Sequence, residues 1–144
     1  MNTTSFFLLA DDDHDDAELF NEALTTINSS IQFHHVEDGQ AVFQYLANEK
    51  ESKPDVIFLD LNMPSMSGWQ CLSKLKNDAT LKEIPVIMYS TSSNPREKEI
   101  ALELGAVGFV TKPTDFKILT QVLKTIVSNI DGDLRSVLKD IVVN

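Results

Sequence analysis

Phe6-Phe7-Leu8-Leu9-Ala10-Asp11-Asp12-Asp13 is the stretch that decides the fold: five apolar residues run without interruption into three consecutive acids. Five residues are too few for a buried helix and suit a strand, and the lack of polar alternation means that both faces of that strand are to be covered. The same grammar recurs along the chain. Val56-Ile57-Phe58-Leu59 ends on Asp60, the run from Pro85 to Tyr89 leads into Ser90-Thr91, and Phe109-Val110-Thr111 ends on Lys112-Pro113. Ile31 to Val36 alternates as a further strand.

Between these runs the apolar residues fall at helical spacing. Ala17, Phe20, Leu24 and Ile27 predict a helix over 14–27; Val42, Tyr45 and Leu46 predict one over 40–48, after the turn signal Asp38-Gly39. Trp69, Leu72 and Leu75 mark a third helix beyond the loop Met63 to Gly68. Asn94 as cap and Pro95 at the first helical position open a fourth, which closes at Leu104-Gly105, with glycine suited to the left-handed position that ends helices. Thr114 is expected to cap the last helix, which carries Ile118, Leu119, Val122, Leu123 and Ile126. A βα unit repeated five times defines an α/β protein with a five-stranded parallel sheet, doubly wound, with helices on both faces.

At 144 residues the chain is one domain, and its 42% hydrophobic and 24% charged content is that of a globular protein. No apolar stretch approaches the roughly 20 residues of a membrane span. The first residues, Met1-Asn2-Thr3-Thr4, lack the basic start of a secretory signal, and a single cysteine, Cys71, excludes an internal disulfide framework, so a cytoplasmic location is the simplest expectation. The net charge of -10 argues against direct nucleic-acid binding. That charge is lopsided: residues 1–60 hold 13 acids and 2 bases, whereas 61–144 hold 9 acids and 10 bases.

In doubly wound sheets ligands bind at the carboxyl ends of the strands. There the sequence collects Asp11, Asp12 and Asp13 after the first strand, Asp60 after the third, Ser90 and Thr91 after the fourth, and Lys112 after the fifth. Carboxylates packed together repel and must protonate or share a cation; a few oxygen ligands suit Mg²⁺, which retains waters and accepts a phosphate oxygen. A lysine offsets phosphoryl charge, a hydroxyl hydrogen-bonds a phosphoryl oxygen, and a carboxylate can itself be the nucleophile. Taken one at a time these residues have plainer readings. Asp13, Asp15 and Asp16 read equally as helix caps, and a lysine before a proline as surface. Their common placement at one sheet edge is what points to Mg²⁺-assisted phosphoryl transfer onto an aspartate.

With these residues in place the chain resembles the receiver domain of two-component response regulators, a flavodoxin-like fold, from Phe6 to about Ile130. The resemblance rests on Leu9-Ala10-Asp11-Asp12-Asp13, Phe58-Leu59-Asp60-Leu61-Asn62-Met63-Pro64 with Gly68, Pro85-Val86-Ile87-Met88-Tyr89-Ser90, and Gly105-Ala106 followed by Phe109-Val110-Thr111-Lys112-Pro113. It implies that Asp60 is the phosphoacceptor, and that Asp11 and Asp12 hold Mg²⁺ together with Asp60 and the backbone carbonyl of Asn62. It further implies that Ser90 and Lys112 engage the phosphoryl group, that Phe109 is the switch aromatic, and that the Lys112–Pro113 bond is cis. The family implies a sensor histidine kinase or phosphotransfer protein as phosphodonor. Ser92 and Asn62 are expected to flank the path of attacking water and to tune hydrolysis. The acids from Asp13 to Asp16, with the polar connection from Asn48 to Pro54, are similar to the small receivers that partner bacterial phytochrome kinases.

The resemblance spans 1–130 as a receiver domain, leaving 131–144 as a short tail. In it Leu134, Val137, Leu138, Ile141 and Val142 predict an amphipathic helix over 133–143, to pack on its own domain or against a second copy. With no output domain in the sequence, the signal is expected to leave by contact with a downstream protein, through the helices Pro95–Leu104 and Thr114–Asn129. The protein is then no enzyme beyond its own phosphorylation and dephosphorylation. A phosphorelay intermediate and a non-phosphorylated scaffold are the alternatives within the family. Outside it, a phosphohydrolase wants a second acid where Asn62 stands, and an FMN-binding protein wants a phosphate cradle where Asp11 to Asp16 would repel one. His14, His34 and His35 show no ligand spacing and are read as surface or strand residues, Cys71 as packing.

Overall fold

The structure, a computed structural model, describes residues 5–48, 50 and 52–139. In chain order the elements are β1 (Phe6–Ala10), α1 (His14–Ile27), β2 (Gln32–Val36), α2 (Gly39–Leu46), β3 (Val56–Leu59), α3 (Gly68–Lys76), β4 (Val86–Ser90), α4 (Pro95–Glu103), β5 (Gly108–Thr111), α5 (Phe116–Ser128) and α6 (Leu134–Lys139). All strand pairings are parallel, and the order across the sheet is β2-β1-β3-β4-β5. The winding therefore reverses between β1 and β3, the place where doubly wound sheets open a ligand crevice at their carboxyl edge.

Each strand divides its side chains between two cores, as a period of two demands. Leu8, Ile57, Leu59, Val86, Met88 and Phe109 face one side, under α2, α3 and α4; Phe7, Leu9, Val56, Phe58, Ile87, Tyr89 and Val110 face the other, under α1 and α5. Phe20 of α1 is fully buried and stands edge-on to Phe58, with ring centroids 4.9 Å apart, and to Tyr89 at 5.4 Å. Burying one such ring is worth about 1.5–3 kcal/mol, and it holds α1, with the acidic loop before it, over the ends of β1, β3 and β4.

Local chemistry sets the element ends. Asp13 caps α1 by accepting from the Asp16 N–H, Asp38 caps α2 through the Ala41 N–H, and Ser67 and Gln70 form a reciprocal capping box at α3. Asn94 caps α4, with Pro95 in its first turn, and Gly105 beyond the end of α4 takes φ +106°, as the sequence suggests. The cap of α5 differs from expectation. Asp115, not Thr114, accepts from the Lys117 N–H, because a carboxylate gains more than a hydroxyl at the positive end of a helix. The Lys112–Pro113 bond also departs from what the resemblance implies: it is trans, the form X–Pro amides favour by about 0.5–1 kcal/mol.

The described part of the tail, as far as Lys139, packs on its own domain. Leu134 and Leu138 are buried in the core that holds α1 and α5, and the Leu138 side chain lies against Gly108 so closely that any Cβ at that position would collide with it. Asp133 stands before α6 and accepts from the Ser136 N–H at 3.2 Å. Ile141 and Val142, the other apolar positions of the predicted tail helix, lie outside the described residues.

Candidate functional site

The strand ends bring the predicted residues together. Asp11 is completely buried, Asp60 is 8% exposed, Ser90 is 1% exposed, and Asp12 stands at the open side. The edge is built by backbone pairing: the Asp60 N–H donates to the Ala10 carbonyl at 3.0 Å, and the Lys112 N–H to the Ser90 carbonyl at 2.6 Å. Gly68 permits the β3–α3 loop to close over this edge, because a Cβ there would run into the Asp60 carbonyl oxygen. One carboxylate oxygen from each of Asp11, Asp12 and Asp60 lies within 4.8 Å of the others, the distance over which a single cation can be shared.

Lys112 reaches into this cluster with its side chain only 9% exposed. Its Nζ lies 2.7 Å from Asp11 Oδ2, 2.8 Å from Asp16 Oδ2 and 3.7 Å from Asp60 Oδ2. Burial by itself would lower the lysine pKa, but its hydrogen bonds and charge contacts with Asp11, Asp16 and Asp60 hold it above the usual lysine range. Asp60 moves the other way for an acid: burial pushes it up to about 6, the Asp11 charge and hydrogen bonding add to the rise, and Lys112 and the Asn62 N–H only partly offset it. Asp60 is thus short of positive charge.

A divalent cation fits this shortage. Asp11 Oδ1 accepts from the Asp13 N–H at 2.9 Å, while Asp11 Oδ2 is buried and accepts no well-aligned hydrogen bond, although the lysine ammonium stands beside it. Three carboxylates, hard oxygen donors, match the ligand set of Mg²⁺ or Mn²⁺. Asn62 is exposed on the loop after β3, with its N–H turned to Asp60.

The remaining predicted residues frame the site. Ser90 Oγ accepts from the Ser92 N–H at 3.2 Å, and Thr111 donates to the Ser92 carbonyl at 2.9 Å, which ties the β4 end to β5. Ser92 also donates to Glu97 at the start of α4. Phe109 is 6% exposed and packed in the core beneath α4, on the opposite face of β5 from Leu138. Cys71 is fully buried and burial pushes its thiol up to about 12, which removes it as a nucleophile. His34 stacks on Tyr45 at 4.2 Å, and His14 pairs with Glu37 at the surface. His35 is more than a strand residue: its Nε2 lies 2.7 Å from the Asp11 carbonyl, and since a carbonyl only accepts, that nitrogen carries the hydrogen.

Asp16 is the residue that sequence reasoning passed over. It reads as one acid among several in a helix start, yet Asp13 takes the capping role and Asp16 takes the lysine. The signal lay in position: from Asp13 as cap, the third residue of α1 turns back toward the strand ends.

A doubly wound sheet whose carboxyl edge gathers three acids, a hydroxyl and a lysine defines a phosphoryl-accepting signalling domain. The chain belongs to the response regulator receiver domain family, whose model matches residues 7–124. It is 30% identical over 131 residues to Response regulator Rcp1 of Synechocystis, covering 88% of this chain and 89% of that protein. Among solved structures, the phosphorylated cyanobacterial phytochrome response regulator RcpA superimposes with a TM-score of 0.77 at 34% identity, over 86% of this chain and 91% of RcpA. The Mn²⁺-bound form of Rcp1 superimposes with a TM-score of 0.76 at 28% identity, over 97% and 99%. The chain also matches, at 30% identity, a probable cyclic di-GMP phosphodiesterase of Vibrio cholerae, of which it spans only 26%. It is therefore a receiver domain homologous to stand-alone response regulators; receiver domains bind divalent metal, as the Mn²⁺-bound form of Rcp1 does, and interact with a histidine kinase or other phosphodonor. Among the described residues, no helix is long and apolar enough to cross a membrane.

Proposed function

We propose that the protein is a cytoplasmic response regulator that takes a phosphoryl group onto Asp60 from a phosphohistidine, with Mg²⁺ held by Asp11, Asp12, Asp60 and the Asn62 carbonyl. One observation carries this reading: the Asp60 carboxylate sits within the three-acid cluster, held high by burial and by Asp11, with the Lys112 ammonium 3.7 Å away. An Asp60 oxygen attacks phosphorus, the P–O bond forms as the donor's P–N bond breaks, and the electron pair returns to the imidazole. Mg²⁺, when bound, neutralises charge on the transferring group and orients its oxygens. Lys112 supplies a further positive charge and Ser90 a hydroxyl donor, so that catalysis is mainly positioning and electrostatics.

The phosphoryl group brings roughly -1.5 to -2 charge to the end of β3. Ser90 then turns from Ser92 toward the new oxygens, and because Ser92 is bonded to Thr111 and Glu97, the change reaches β5 and α4. Phe109 packs beneath α4 and follows it. The output is a shift in population between two arrangements of the α4–β5–α5 face, read by a downstream protein or by a second copy of the chain. The protein turns over no substrate other than its own phosphoryl group. Similarity to RcpA and Rcp1 favours a phytochrome-type kinase as donor.

The test is incubation with Mg²⁺ and acetyl phosphate followed by intact mass, with Asp60→Asn as control. A gain of one phosphoryl group in the wild type and none in the variant is expected. Equal gain in both would remove Asp60 as acceptor.

A further inference from the structure

The Lys112 ammonium is engaged elsewhere than at the acceptor. It has three N–H donors. Its close contacts are with Asp11 and Asp16, at 2.7 and 2.8 Å, and Asp60 lies a full ångström beyond at 3.7 Å. Asp11 is anchored in the site by the Asp13 N–H and has no freedom to leave. Asp16 differs. Its side chain is 33% exposed, it comes from α1 rather than a strand end, and it lies 96 residues from Lys112 along the chain. Its backbone N–H is held by the Asp13 cap at 3.1 Å, which sets the α1 turn and aims the carboxylate at the lysine. It is not in the group of acids spaced to share a cation.

We infer that Asp16 is a positioning residue: it holds the Lys112 ammonium back from Asp60 in the unloaded protein and competes with the phosphoryl group for it. Charge decides the direction. A phosphoryl group on Asp60 has to draw the same ammonium toward itself, and each charge-assisted contact kept by Asp16 opposes that movement. Without the Asp16 charge the ammonium turns to Asp60, so the loaded arrangement gains relative to the unloaded one. Asp15 lies on the same turn of α1, is exposed, and makes no contact with Lys112, so it separates this specific competition from the general negative charge of the helix start.

The inference rests on Asp60 being the acceptor, and the experiment keeps the two apart. Beryllofluoride, a tetrahedral phosphoryl mimic that a carboxylate holds without covalent transfer, is titrated with Mg²⁺ into the full chain as wild type, Asp16→Asn, Asp16→Glu and Asp15→Asn. The Lys112 side chain is followed by ¹⁵N-lysine NMR and Mg²⁺ affinity is measured alone. Asp16→Asn is expected to bind the mimic about threefold to tenfold tighter, the size of one charge-assisted contact in competition. Its Mg²⁺ affinity stays within about twofold, since Asp16 is no metal ligand. The Lys112 ammonium signal of the unloaded Asn variant should move toward the position it takes in the loaded wild type. Asp16→Glu is expected to restore the competition, and Asp15→Asn to behave as wild type.

Failure of the wild type to bind the mimic would overturn the assignment of Asp60. Binding by the wild type with unchanged or weaker affinity in Asp16→Asn would overturn the competition alone. Weakened Mg²⁺ binding in Asp16→Asn would make Asp16 a metal-site residue instead. The same gain in Asp15→Asn would reduce the effect to bulk charge.

Discussion

Replacing Asp60 by asparagine is expected to stabilise the protein when no divalent cation is present. The folded protein holds this carboxyl at about 6 against 3.8 in an unhindered chain, because burial and Asp11 outweigh Lys112. The unfolded chain thus ionises Asp60 at lower pH than the folded one. Between these two values the folded state binds more protons, so wild-type stability falls as pH rises and is flat above them. The shift corresponds to about 3 kcal/mol of penalty near pH 7, at ~1.36 kcal/mol for each unit. Asparagine is neutral throughout, keeps the shape and escapes the penalty. Urea denaturation in the presence of a chelator measures it. The variant should gain about 3 kcal/mol near pH 7, on the order of 10 °C in midpoint, and the gain should vanish toward about pH 4. Mg²⁺ should narrow the difference by giving the wild-type carboxylate its cation. An Asn variant no more stable than wild type near neutrality, or a difference that does not change between pH 4 and 6, would refute the reasoning.

Lys112→Met should leave Asp11, Asp16 and Asp60 without their ammonium and cost about 3–5 kcal/mol in urea denaturation, the penalty of orphaned buried charge. Leu138→Ala should cost about 2–4 kcal/mol locally and raise amide exchange across α6, while exchange in β1 and β3 stays slow; global unfolding instead would mean that α6 is no separate unit. Ser92→Ala and Asn62→Ala should each change the decay of phosphorylated protein without preventing loading, as followed by intact mass; unchanged decay in both would place the water path elsewhere. Cys71 should resist alkylation until the protein unfolds, since its thiol is fully buried and held protonated.

Strand positions and the site edge were legible in the sequence because a buried parallel strand leaves an unmistakable trace: Val56 to Leu59 is apolar at every residue and stops at an acid. The chemistry at the edge followed, since Asp11, Asp60, Ser90 and Lys112 each terminate such a run. What the sequence withheld depends on side-chain competition in three dimensions. Thr114 and Asp115 are both competent caps in linear order, and the gain of a carboxylate at the positive end of a helix, which favours Asp115, is not marked in residue type alone. The tail pattern fitted packing inward or against a second copy equally, and nothing in linear order records that the absent side chain at Gly108 makes room for Leu138. Asp16 looked like one of several capping acids, because nothing in linear order records that α1 crosses above Lys112.

The charge balance at the edge explains why these features belong together. Asp11, Asp16 and Asp60 face one ammonium, and a fourth carboxylate, Asp12, stands within a cation's reach of Asp11 and Asp60. At neutral pH that is a deficit of positive charge in a place where Asp11 and Asp60 are largely withdrawn from water. The deficit has two outlets: a proton on Asp60, or a divalent cation among Asp11, Asp12 and Asp60. They compete, because a protonated Asp60 is neither a ligand nor a nucleophile. Cation binding should therefore strengthen as pH rises through about 6. Phosphoryl transfer then replaces one charge on Asp60 with roughly two, which deepens the deficit unless the cation is already present and Lys112 is free to turn. Loading is thus expected to require the divalent cation first. A titration in which phosphoryl gain from acetyl phosphate is as fast in chelator as in Mg²⁺ would break this account at its base.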